Sequence, residues 1–137
     1  MTTPGKPLWA AVTFPDVSID PVGLHLDSVT AHAVSDTSQA TVTPYVCTNR
    51  PQPGPGITAV GTGDTRMMRR LCSRVVRAKD VDMLTGRGHP EYVILKIVPA
   101  HAGRLRLNRV DVTYRRGIQR GTQAIDFHLT VRAGHAA

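Results

Sequence analysis

The sequence Ile125-Asp-Phe-His-Leu-Thr-Val-Arg132 alternates strictly between apolar and polar residues. Successive side chains of a β-strand point to opposite faces, so this period of two places every apolar side chain on one face and every polar side chain on the other. Such a strand is half buried against a second layer. The stretch therefore predicts an all-β protein with two layers, and it does not predict a reaction or a ligand.

Similar patterns along the rest of the chain predict further strands. The residues at 92–98 are almost continuously apolar, which is typical of a central strand covered on both faces. Pro44 argues that its own segment is an edge strand or carries a bulge. About seven strands are expected, at 8–14, 23–34, 40–47, 92–98, 105–114 and 125–131 and in the segment after residue 71. We expect one antiparallel two-sheet β-sandwich domain over residues 1–137.

Two of these strands change phase midway. Apolar residues move from even to odd numbers at Asp27-Ser28, and from odd to even numbers at Asn108-Arg109. A one-residue slip turns every later side chain to the wrong face, so each strand is expected to carry a bulge or kink there. Two strands bent alike could occupy related places in the two sheets of the sandwich, with chance similarity as the alternative.

Residues 65–71 break the β pattern. Apolar Met67, Met68 and Leu71 fall at helical spacing, and Asp64 or Thr65 is a suitable N-cap. The segment 71–76 contains β-branched residues and would also serve as a strand that carries Cys72 inward. We expect a short helix or helical turn from about 65 to 71 that runs into an extended segment, with a strand as the alternative.

The two cysteines, Cys47 and Cys72, are compatible with one disulfide, because an even count in a small β-rich chain is typical of oxidising compartments. A bridge would close the loop that contains the turn-forming stretch 51–56. The alternative is a pair of reduced, buried thiols in a cytosolic protein. There is no CxxC and no second cysteine pair, so a zinc site made of cysteines is not expected.

Charge is distributed unevenly along the chain. Residues 1–64 contain two basic and five acidic residues (−3), whereas residues 65–137 contain fifteen basic and five acidic ones (+10), which together give the net charge of +7. A basic half attracts polyanions or an acidic protein face. The candidate binding face consists of six arginines: Arg69, Arg70, Arg74, Arg115, Arg116 and Arg120.

Motifs for catalysis and cofactor binding are missing from the sequence. The six histidines show no HxH or HxxxH spacing. Asp80 and Asp82 form a DxD, but they lack the glycine and distal glutamate of a calcium loop, so a solvated strand edge explains them better. No GxSxG motif or phosphate loop occurs. We therefore expect no catalytic residue, metal or cofactor, and we do not expect an enzyme.

The segment Gly103-Arg-Leu-Arg-Leu-Asn-Arg-Val-Asp-Val-Thr-Tyr-Arg-Arg-Gly, continued by Gly121-Thr-Gln and the final strand, resembles the closing strands of Ig-like modules in bacterial envelope and secreted proteins. The resemblance implies an Ig-like sandwich that serves as a membrane-tethered or secreted interaction domain. The chain departs from antibody-type domains in two ways: its cysteines are too closely spaced for the usual inter-sheet bridge, and no tryptophan lies between them.

Together these observations predict a non-catalytic, extracytoplasmic interaction or structural module whose basic face binds a protein or an anionic polymer of the cell envelope. No apolar run is long enough for a transmembrane segment, and residues 1–7 do not form a signal peptide. One alternative is a cytoplasmic β domain that binds nucleic acid or an acidic protein, although stacking aromatics are scarce. A small metal-binding protein or hydrolase is the other alternative.

Overall fold

The computed structural model describes residues 2–12, 22–49, 62–85 and 91–134. Within these ranges lie nine strands and one helix: β1 (Leu8–Val12), β2 (Val22–Asp36), β3 (Thr41–Asn49), β4 (Thr62–Gly63), α1 (Thr65–Leu71), β5 (Cys72–Arg77), β6 (Val81–Thr85), β7 (Glu91–Val98), β8 (Gly103–Arg116) and β9 (Gln119–Ala133). The end of the expected strand 8–14 and the turn-forming stretch 51–56 lie outside the described residues.

The strands form two antiparallel sheets, which confirms the predicted two-sheet β-sandwich. One sheet has the order β4-β1-β7-β3-β5, and the other has the order β6-β2-β8-β9. The described strands number nine rather than about seven, because the two-residue β4 and the five-residue β6 were not expected as separate strands. Both are short edge strands, whose apolar pattern is too brief to stand out in the sequence.

The main hydrophobic core lies between the two sheets. Val12, Val93 and Leu95 contribute from the five-stranded sheet, and Leu26 and Val110 contribute from the four-stranded sheet. All five side chains are almost fully buried. At roughly 1.5 to 3 kcal/mol for burying each such side chain, this layer is the main stabilising contribution to the fold.

A second, smaller apolar cluster covers the outer face of the five-stranded sheet. Trp9, Cys47 and Ile94 are buried there, and Met68 and Leu71 of α1 pack against them. The helix begins as predicted because the Asp64 carboxylate accepts a hydrogen bond of 2.8 Å from the backbone N–H of Met67. Strand β7 is therefore covered on both faces, as its continuous apolar sequence predicts.

The two phase slips coincide with irregularities in strand pairing. The β2–β8 register shifts between Leu26 and Ser28, and the β8–β9 register shifts between Leu107 and Arg109. The expected bulges are thus confirmed, but the expectation that the bent strands lie in different sheets is wrong. Strands β2 and β8 pair directly, so their irregularities bend one sheet.

Pro44 does not mark an edge strand or a bulge. Strand β3 lies between β7 and β5, and its pairing with β7 runs through Pro44 without a shift. The proline is tolerated because the β3–β5 pairing begins only at Tyr45, so Pro44 lies one residue beyond it. The Pro44 carbonyl accepts a hydrogen bond from the Ala78 N–H at that position. Its missing N–H therefore interrupts no ladder between described strands.

Candidate functional site

Strands β8 and β9 form a long hairpin whose side chains alternate between the core and the outside. Leu105, Val110, Ile125 and Val131 are buried, and the polar residues between them point to the outer face of the sheet. The outer face carries one row of basic residues from each strand: Arg104, Arg106, Arg109 and Arg115 from β8, and Arg120, His128 and Arg132 from β9. The predicted half-buried strand thus supplies one side of this basic surface.

Arg104 and Arg132 lie directly opposite each other across the hairpin. The Arg104 carbonyl accepts a hydrogen bond from Thr37 on the side of β2, and the Arg132 carbonyl accepts one from Thr2 on the other side. The backbones of the two arginines therefore face away from each other. In such a non-hydrogen-bonded pair the Cα atoms are only about 4.5 Å apart and the side chains are closest. The register therefore sets two like charges side by side.

Arg106 and Thr130 complete this group. They are the next outward-facing pair along the hairpin, and all four residues line one surface depression. Arg104, Arg106 and Arg132 are exposed, and we call them the arginine triad. None of the carboxylates that the structure describes forms an ion pair with any member of the triad. Like charges placed directly opposite destabilise a sheet, so a bound anion would relieve an existing repulsion.

Gly103 positions the start of β8 and therefore the triad. Its φ is +156°, and a Cβ at this position would lie 2.7 Å from Thr37 Oγ1 and 2.8 Å from the Thr37 backbone carbon. Only glycine allows this close approach. The Thr37 hydroxyl in turn accepts a hydrogen bond of 2.8 Å from the Arg104 N–H.

The middle of the outer face is electrically balanced, in contrast to the triad. Asp111 accepts from Arg109 Nε at 3.0 Å and lies 2.7 Å from His32 Nε2. Asp126 lies opposite Arg109 on β9. The basic character of the sheet is therefore concentrated at its two ends.

The other end of the hairpin carries three of the predicted arginines. Arg115 lies opposite Arg120, and Arg116 adjoins the two-residue turn Gly117-Ile118. Arg115 is half-buried, and its Nε donates to Asp27 Oδ1 at 3.1 Å. The Ile118 side chain is fully exposed at the tip. Part of the positive charge at this end is thus already neutralised within the protein.

The remaining predicted arginines lie on the other sheet. Arg74 of β5 lines a cleft of about 590 Å³ together with Arg115, His25, Asp82 and Glu91. Arg69 and Arg70 lie in the last turn of α1, which covers the outer face of the five-stranded sheet. The structure thus places Arg74 on the same cleft as Arg115, while Arg69 and Arg70 belong to the surface around the helix.

A cluster of titratable groups joins β2 to the edge strand β6. His25 Nδ1 lies 2.8 Å from Asp82 Oδ1, and its Nε2 lies 2.6 Å from Asp80 Oδ1. These hydrogen bonds, first to Asp82 and then to Asp80, raise the pKa of His25 above its usual 6.5, and the nearby Arg115 opposes the shift. No pattern in the sequence connects His25 with the DxD of Asp80 and Asp82. The pairing of β2 with β6 brings them together.

This cluster offers atoms that could hold a cation. His25 Nε2, Asp27 Oδ1 and Asp80 Oδ1 lie within 4.8 Å of one another. However, Arg115 already donates to the same oxygen of Asp27, and Asp80 and Asp82 are largely exposed. The hydrogen bonds of the His25 imidazole to the Asp80 and Asp82 carboxylates account for the geometry. The cluster links β2 to β6 and the residue before it.

Cys47 and Cys72 form a disulfide with a Cα–Cα distance of 5.4 Å. It joins the neighbouring strands β3 and β5 within one sheet and lies under α1, with both residues buried. The disulfide is the form expected for a protein of an oxidising compartment. The reduced pair considered as an alternative is not what the structure contains.

In comparisons with known proteins, no family model, no curated protein and no solved structure matches the chain. No helix among the described residues is long and apolar enough to cross a membrane.

The arginine triad was only partly visible in the sequence. Arg104 and Arg106 stand out as alternating basic residues, but Arg132 is 26 positions away from Arg106. Only the β8–β9 register, including its shift between Leu107 and Arg109, brings Arg132 opposite Arg104. The alternation on each strand predicts which arginines face outward. The sequence holds no signal for the register that pairs the two strands.

Proposed function

We propose that the protein is a non-catalytic, extracytoplasmic interaction module of the Ig-like type that binds an anionic partner, a protein or a polymer of the cell envelope, through the arginine triad. The observation that carries this proposal is the direct opposition of Arg104 and Arg132 without a described carboxylate partner. An anion with two or more oxygens can accept hydrogen bonds from both guanidinium groups, and such charge-assisted bonds are the strong ones.

Three features support the proposal. The triad lies on a rigid strand pair with the main core beneath it, so its geometry is organised before a ligand arrives. The disulfide supports an oxidising, extracytoplasmic location. Two basic residues of the other sheet are engaged by aromatic rings, since Lys96 lies 5.8 Å from the Trp9 ring and Arg77 lies 5.9 Å from the Tyr45 ring.

Retention on immobilised heparin, used as a sulfated polyanion probe, tests the triad. The variant R104Q/R106Q/R132Q is compared with R66Q/R70Q/R74Q, which removes the same charge from α1 and β5, away from the triad. Each lost contact with a polyanion lowers the slope of log K against log salt by roughly 0.7 to 0.9. We therefore expect the slope to fall by about 2 to 3 in the triad variant and much less in the control.

Equal losses in the two variants would show that only net charge matters and would contradict the proposal. A wild-type protein that binds a double-stranded DNA fragment more tightly than heparin at the same salt concentration would favour the nucleic-acid alternative instead. The compartment is tested separately by a thiol assay under denaturing, non-reducing conditions. Two free thiols in protein isolated from its native compartment would overturn the extracytoplasmic assignment.

A further inference from the structure

The free edge of β9 is the longest strand edge that the structure describes. Strand β9 has fifteen residues, whereas the opposite edge of the same sheet, β6, has five. The edge strands of the other sheet, β4 and β5, have two and six. In the described ranges only Thr2 pairs with the outer side of β9, in a parallel bridge to Ala133. An edge strand presents unpaired N–H and C=O groups on which another strand can add.

The turn geometry shows which backbone groups are available. Gly117 and Ile118 form a two-residue turn, so the pair that closes it, Arg116 and Gln119, is hydrogen-bonded. Every second residue from Arg120 onward then directs its N–H and C=O away from β8. The 3.2 Å contact between the hydroxyls of Thr113 and Thr122 agrees, because side chains are closest in non-hydrogen-bonded pairs.

The far end of the edge already accepts a strand. Thr2 donates to the Arg132 carbonyl at 2.8 Å and accepts from the Gly134 N–H at 2.9 Å. This short pairing stops at Arg132, so the outward-facing groups from Arg120 through Thr130 have no described backbone partner. Ala124, near the middle of this stretch, is exposed.

Charge determines which kind of strand fits this edge. The arginine triad lies on the outer face at one end of the hairpin, and Arg115 and Arg120 lie at the other end. Asp126 is the one acidic residue of β9. A second copy of this chain would bring the same arginines and a net charge of +7. An extended segment with carboxylates on alternate residues would instead place them beside the guanidinium groups of β9, Arg120 and Arg132, and one strand away from those of Arg104 and Arg106 on β8.

We propose that the edge of β9 binds one extended acidic polypeptide segment, which adds as a fifth strand to the four-stranded sheet and directs its carboxylates toward the arginine triad. This inference rests on the proposed function and names its partner as a polypeptide. Backbone hydrogen bonds to residues 120–130 provide the register, and the triad provides the preference for acidic side chains.

A synthetic ten-residue peptide in which glutamate alternates with threonine is the probe, and calorimetric titration measures its binding. The variant A124P removes the outward N–H at the centre of the edge. Proline is tolerated there because this N–H does not bond to β8. The matched control A124V keeps the N–H. We expect A124P to weaken peptide binding at least tenfold and A124V to change it less than twofold, with heparin retention unchanged in both.

Amide exchange in the wild-type protein gives a second measurement that does not depend on the proline variant folding. Binding of the peptide is expected to slow exchange at Thr122 and Ala124 at least tenfold. Equal peptide affinity for A124P and A124V, or unprotected amides at saturation, would overturn the inference while leaving triad-dependent heparin binding intact. Self-association of the wild type that A124P abolishes would also overturn it, since the edge would then pair with a second copy. If the wild type binds neither the peptide nor heparin, the proposed function itself is refuted.

Discussion

The imidazole of His25 lies between the carboxylates of Asp80 and Asp82, with Nδ1 2.8 Å from Asp82 Oδ1. His25 and Asp82 are also direct partners in the β2–β6 pairing. The side-chain contact therefore reinforces the backbone ladder of a five-residue edge strand, beside the burial of Met83 in the main core.

This contact predicts a dependence of stability on pH. Because the folded pKa of His25 is raised above 6.5, mainly by Asp82 and then by Asp80, the protonated form is favoured in the folded state. The contribution is complete below pH 6.5 and is lost as the pH rises through the folded pKa. Urea unfolding at a series of pH values is expected to show this decline in the wild type and its absence in H25Q. An identical decline in H25Q would assign it to another group.

Removal of the disulfide is expected to destabilise the protein. The bridge closes a loop with a sequence separation of 25, and the chain-entropy model assigns about 3 to 4 kcal/mol to a loop of this length. The variant C47A/C72A should therefore lose about 2 to 4 kcal/mol of unfolding free energy in urea titrations. Dithiothreitol should lower the wild-type midpoint and leave that of the variant unchanged. A reductant effect of equal size in both proteins would contradict the assignment.

The substitution G103A is expected to cost about 1 to 3 kcal/mol of unfolding free energy, because the new methyl group would overlap the Thr37 backbone. The same alanine substitution at Gly117 has no neighbouring atom within 4 Å and meets only the backbone penalty of its φ of +62°. Comparison of the two variants by thermal unfolding separates the two effects. If G117A proves the more damaging, the close approach at Gly103 is not the constraint we describe.

The cap of α1 offers a local test of the helix. Removal of the Asp64 carboxylate in D64A leaves the Met67 N–H without its partner and is expected to cost about 1 kcal/mol. The variant D64N, which keeps an acceptor oxygen, should lose much less. Chemical denaturation of the two variants provides the measurement. Equal losses would indicate that the carboxylate acts through its charge and not through the cap.

Local patterns in the sequence were sufficient for the fold class, and they failed where long-range pairing decides the outcome. The alternation at 125–131, the helix at 65–71 and both phase slips depend on neighbouring residues, and all are found in the structure. Pro44 misled because its tolerance depends on where the partner strand β5 begins. The opposition of Arg104 and Arg132, and the meeting of His25 with Asp82, depend on strand order and register, for which a single sequence holds no local signal.

The small helix has a consequence for how this protein can be used. With Met68 and Leu71 packed on Trp9, Cys47 and Ile94, it covers part of one broad side of the sandwich. The opposite broad side carries no helix in the described chain. The two broad faces of the sandwich therefore differ: α1 packs on one, and the other exposes the side chains of its strands. The two faces offer a partner different chemistry, α1 on one side and the charged side chains of β8 and β9 on the other, which gives an assembly a direction that a bare two-sheet sandwich would not impose.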